Sequence, residues 1–174
     1  MNKRLSFLKT TALFVALGAS ASAMAQGKGL EDPFRDPYYK TLSGKVVAFL
    51  PVALSFDLAQ GWLAGLKQEL EPLGVKIVAR DPNWSTNAGA QALTSLIGEK
   101  PDVIVVHNPD VQTYARLLST AETNGIHVVQ INMRSSYSSV AYVGADWVEI
   151  GEKAATAVVK ACKGKSNKIS INST

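Results

Sequence analysis

Apolar residues along the chain gather into short continuous runs separated by longer stretches of helical period. The first run, Val46 to Leu50, stops at Pro51 and leads into a pattern from about Leu58 to Glu71. There Leu58, Trp62, Leu66 and Leu70 recur at helical spacing and predict the buried face, with Ser55 or Asp57 as cap. Val75–Ala79 is the second run. The loop Arg80–Asn87 follows, then a helix over roughly Ala88–Gly98 with Leu93, Leu96 and Ile97 inward. Pro101–Val106 is the third. Asp110 can cap a helix through Val111, Tyr114, Leu118 and Ala121, which Gly125 ends, and His127–Asn132 is the fourth run. Short apolar runs without alternation fit strands buried on both faces, as in a parallel sheet. Strand followed by helix, three times over, predicts right-handed crossovers and a doubly wound α/β sheet. Val140–Val143 alternates weakly and reads as a short fifth strand, Val148–Cys162 as an alanine-rich helix, and Lys168–Ile171 as the start of another strand. Gln26–Gly44, polar and rich in glycine and proline, reads as an irregular arm.

The chain begins differently. Lys3 and Arg4 precede an apolar stretch, Ala12–Leu17, and Ala23-Met24-Ala25 offers a small-x-small cleavage site. This is the layout of a secretory signal peptide over residues 1–25, too short in its apolar part to span a membrane. It changes the meaning of the charge. The net +4 includes Lys3, Arg4 and Lys9 and no acid before Gln26, so the remainder carries a surplus of one. A nearly neutral mature chain lacks the basic footprint of a nucleic-acid binder. Cys162 is the single cysteine, so no internal disulfide can form. It falls on one predicted helix face with Ala154, Ala155, Val158 and Val159 and is expected to be a buried, inert thiol.

Candidate chemistry lies where the strands end, since open α/β sheets bind ligands at the carboxyl ends of their strands. Ser55, Phe56 and Asp57 follow the first strand and Trp84 the second. His107 and Asn108 follow the third, Asn132 and Arg134 the fourth, and Asp146 the fifth segment. Charged donors and acceptors bond neutral hydroxyls, and aromatic faces cover the apolar faces of a sugar ring. The set suits a sugar or polyol better than an acid or a phosphate, which would call for surplus positive charge. The alternative is that Arg134 and Asp146 form an ordinary structural ion pair. No cofactor is expected: the first turn, Leu50–Asp57, contains no glycine to admit a pyrophosphate. The two histidines, His107 and His127, sit on separate strands without partners at ligand spacing, so no metal site is expected.

The leading segment followed by Val46–Thr174 resembles the sugar-binding proteins of bacterial ABC importers, the ribose-binding type within the periplasmic binding proteins. Gly65, Gly74, Asn108-Pro109, Val128–Arg134 and Gly144-Ala145-Asp146 carry the resemblance. It implies a type I periplasmic binding protein fold, with two α/β lobes closing about a hinge on one sugar. It divides the chain into a signal peptide (1–25), an arm (26–44), an N-terminal lobe (45–145) and the start of an incomplete C-terminal lobe (146–174). A chain that stops there holds half a cleft and is expected to bind sugar weakly. The resemblance also implies that Arg134 and Asp146 bond sugar hydroxyls, that Asn108 lines the cleft, and that Phe56 belongs to the first ligand loop. Met133 stands where that pattern has an aspartate, and Ser55-Phe56-Asp57-Leu58 replaces paired phenylalanines, which speaks against ribose itself. The implied partners are a sugar or polyol and an importer permease in the periplasm, not nucleic acid. The implied protein is exported, not membrane-embedded, and not an enzyme. A periplasmic receptor serving a chemoreceptor or sensor kinase would share the lobe, and so would an enzyme on the same scaffold.

Overall fold

The computed structural model describes residues 35–163. The proposed signal peptide, the arm before Arg35 and the expected strand at Lys168–Ile171 lie outside the described residues. Five strands form one sheet: β1 (Val46–Leu50), β2 (Lys76–Ala79), β3 (Val103–Val106), β4 (His127–Ile131) and β5 (Ala141–Val143). Their order is β2-β1-β3-β4-β5, and every pairing is parallel. The helices are α1 (Arg35–Lys40), α2 (Asp57–Leu70), α3 (Thr86–Glu99), α4 (Ala115–Thr123) and α5 (Trp147–Cys162). A doubly wound α/β sheet is thus observed. The arm is not wholly irregular, because Arg35–Lys40 closes into α1 without burying a residue.

Strand side chains alternate between two faces, and each face has its own core. Ala48, Leu50, Ile104, Val106 and Val128 pack with Leu93, Leu96 and Ile97 of α3 and Leu118 and Ala121 of α4. Val47, Phe49, Val105 and Ile131 point the other way, against Trp62, Leu63, Leu66 and Leu70 of α2. Burial on both faces is why the strands read as continuous apolar runs.

Four local expectations are corrected. Leu58 is 49% exposed, and Ala59 is the buried residue of that first turn. The helix begins at Asp57 with Phe56 as an N-cap that makes no side-chain cap bond, so neither Ser55 nor Asp57 caps it. Asp110 does not cap α4. Its carboxylate accepts from the amides of Gln112 and Thr113 and closes a separate turn, leaving Val111 exposed and α4 starting at Ala115. Cys162 is only half-buried, on a helix with no buried residue. No described helix is long and apolar enough to cross a membrane.

Candidate functional site

The carboxyl ends of β1 to β4 surround a cavity of about 480 Å³, with Trp84, Ser85, His107, Asn108, Tyr114 and Met133 in its walls. The loop after β1 is held to the loop after β2 by Asp81, whose Oδ1 accepts from the amides of Leu54 (3.0 Å) and Asn83 (2.8 Å). The Trp84 amide donates to Val52 O (2.9 Å). Asn83 and Trp84 both take left-handed backbone conformations, at φ 48° and 65°. For a bulky residue this conformation is strained, and such strain persists where surrounding structure imposes it, often at binding sites. Its effect is to leave the Trp84 indole 61% exposed beside the cavity.

Four rings gather there. Phe56 lies 5.3 Å from Trp84 and 6.3 Å from both Trp62 and His107, and Trp62 meets His107 edge-on at 5.4 Å. The Trp84 indole N–H donates to Ser55 Oγ (3.3 Å). Ser55, Phe56 and Trp84 are therefore one group. Trp62 packs on the core side of α2 and reaches this cluster with its ring.

Below the rings lies a buried polar layer. His107 Nε2 is 3.0 Å from Asn132 Nδ2, while its Nδ1 is buried without a partner. Burial pushes the imidazole's pKa below its ordinary value, because desolvation disfavours the charged ring. Asn108, 0% exposed, donates from Nδ2 to Gln130 Oε1 (2.8 Å) and Met133 O (2.8 Å), and its Oδ1 has no partner. Unpaired buried polar atoms are rare and call for an explanation. Tyr114 is buried against Gly89 of α3, and its phenol is pushed up to about 12 by burial and then by the Asp110 charge.

The other expected residues make separate contacts. Asp57 is the exposed first residue of α2. The Arg134 guanidinium lies 4.1 Å over the ring of Tyr142. Asp146 caps α5, accepting from the Glu149 amide (3.0 Å). The ion pairs among the described residues are Lys45–Asp102, Arg80–Glu99 and Glu149–Lys153, so Arg134 and Asp146 are not joined in one. The same residues contain no group of three side chains able to hold a metal. Gln130 and Tyr114 escaped the sequence reading as site residues. The available signal was a lone glutamine inside the apolar strand His127–Ile131.

Residues 47–173 match the family model for a periplasmic binding protein domain. No curated protein matches the chain. Among solved structures, a solute-binding protein of an ABC transporter from Agrobacterium vitis, with bound allitol, is 26% identical. It superposes with a TM-score of 0.63 over 71% of this chain and 42% of its own. An ABC sugar transporter subunit from Rhodobacter sphaeroides is 20% identical with a TM-score of 0.62, covering 71% of this chain and 43% of its own. The myo-inositol binding protein of Caulobacter, bound to myo-inositol, is 24% identical with a TM-score of 0.58, covering 67% and 40%. The last two likenesses speak for the fold. The chain spans about two-fifths of the length of these structures.

Proposed function

Because the chain belongs to the periplasmic binding protein domain family, we propose that it is the ligand-capturing lobe of an exported solute-binding protein for a neutral sugar or polyol. The observation that carries this reading is an uncharged cavity. Its walls include an exposed, backbone-strained Trp84 and Asn108, whose buried Oδ1 has no partner, and among the described residues no Lys, Arg, Asp or Glu lines it. An aromatic face covers the C–H face of a ring, and a buried acceptor takes a hydroxyl hydrogen. A charged ligand would find no counter-ion there. Phe56 and Ser55 support the Trp84 platform. Arg134, Asp146 and Asp57 stand at neighbouring loop ends, where they meet the ligand as a second lobe closes over it. The allitol bound by the Agrobacterium vitis protein agrees with a polyol ligand.

The mechanism is capture without a covalent step. The ligand favours the closed arrangement through its greater affinity for that state. The closed protein then delivers the ligand to an importer permease at the periplasmic side of the membrane, the signal peptide having directed export.

Thermal unfolding of the full-length protein in millimolar pentoses, hexoses and polyols tests the proposal. Ligand at free concentration L that binds the native state stabilises it by RT ln(1 + L/Kd), so millimolar ligand registers a site whose Kd is millimolar or tighter. A rise with one neutral compound, lost in Arg134→Ala, is expected. A rise only with sugar acids or phosphates would overturn it.

A further inference from the structure

We propose that Gln130 is a positioning residue that presents Asn108 to the cavity as a hydrogen-bond acceptor, so that the site selects a ligand bringing a hydroxyl hydrogen to that point. This rests on the solute-binding reading above. Gln130 is 2% exposed in the middle of a parallel strand, where a polar side chain is costly unless its bonding capacity is filled. It is filled completely. Oε1 accepts from Asn108 Nδ2 (2.8 Å) and the Ser135 amide (2.7 Å). Nε2 donates to Tyr137 O (2.8 Å) and Ser139 Oγ (2.9 Å).

Backbone partners make this arrangement one-way. The Ser135 N–H can only donate and the Tyr137 carbonyl can only accept, so the Gln130 amide cannot be reversed. Asn108 is bound by the same logic. Its Nδ2 faces Gln130 Oε1 and the Met133 carbonyl, both acceptors, and reversal would set Oδ1 against the two of them. Oδ1 is thereby left over, buried and unpartnered, on a residue that lines the cavity. A hydroxyl can supply the missing hydrogen. A carboxylate cannot, and an ammonium would arrive without a counter-charge. The polarity of the ligand contact is thus set one residue behind it.

The test reads the Asn108 side-chain amide by NMR in the full chain, without ligand. In the unaltered protein its two protons should be inequivalent and slow to exchange. In Gln130→Leu they should lose protection. A Gln130 that merely clamps the following loop would instead disturb the amides of Ser135–Ser139 and leave Asn108 held by Met133 O. Gln130→Glu is the conservative variant and the safeguard should the leucine protein fail to fold. Its protonated carboxyl copies the amide, accepting from Asn108 and donating to Tyr137 O. Its ionised form still accepts from Asn108 Nδ2 and the Ser135 amide, and loses only the donation to Tyr137 O. Asn108 protection should therefore be kept in Gln130→Glu and lost in Gln130→Leu. Unchanged Asn108 protons in Gln130→Leu, or protection lost equally in Gln130→Glu, would overturn the positioning. Allitol and myo-inositol are then used as thermal-shift probes. A shift in the unaltered protein that is absent in Gln130→Leu supports the ligand half. No shift from either probe in the unaltered protein counts against the solute-binding reading while leaving the NMR result to decide the positioning.

Discussion

Trp84 sets two residue-scale effects against each other. Relieving its left-handed backbone with glycine recovers about 1–2 kcal/mol, and losing its contact with Phe56 forfeits about 0.5–1.5 kcal/mol. Trp84→Gly should therefore change unfolding free energy by less than about 1.5 kcal/mol while removing sugar-induced stabilisation. A large loss of stability in denaturant titration would mark the tryptophan as structural. His107 gives a pH dependence of definite sign. Burial lowers its folded pKa, so below the unfolded value of about 6.5 the unfolded chain takes up the proton first. Stability should fall as pH drops through about 6.5 and level off below the folded pKa, and His107→Phe should flatten that window in urea midpoints. Trp84 and Asn108 could be chosen from sequence because each ends a strand run. Gln130 could not, because nothing in a one-dimensional pattern tells that a strand glutamine has four partners drawn from two loops.

Among the elements, α3 and α4 meet where only a glycine fits. A Cβ on Gly89 would fall on the Tyr114 hydroxyl oxygen, with Cζ at 3.0 Å. Gly89→Ala should cost about 1–3 kcal/mol through overpacking. Tyr114→Phe removes the offending oxygen and should recover most of that loss, a coupling that a double-mutant cycle in thermal or chemical unfolding measures directly. Additive losses would show that the helix pair shifts as a body. Strands were legible to within a residue or two because their runs are continuous. Helix starts were less so. Leu58 satisfied the helical period yet points outward, because the chain enters α2 through Phe56, whose ring turns toward Trp84 and Trp62 and leaves Ala59 to face the core.

Over the whole molecule, protection should follow burial. β1, β3 and β4 carry about half of the buried apolar residues, whereas α5 buries no residue. Hydrogen exchange by mass spectrometry should show the amides of Val47–Leu50 and Ile104–Val106 exchanging last and those of α5 far earlier, through local opening. Equal protection would mean that α5 is covered in solution. The apolar spacing of α5 could be read as a buried face, Cys162 included, because periodicity reports which side of a helix is apolar and not whether a partner is present. The parallel sheet has one more consequence, and it concerns time. β1 lies between β2 and β3, and Val47 pairs with Val103 only after everything between them has been made. Sheets built from such distant pairings condense slowly. For a chain proposed to cross a membrane before it folds, that slowness is a working interval: the polypeptide stays threadable while its leading segment is engaged, and the core closes on the far side.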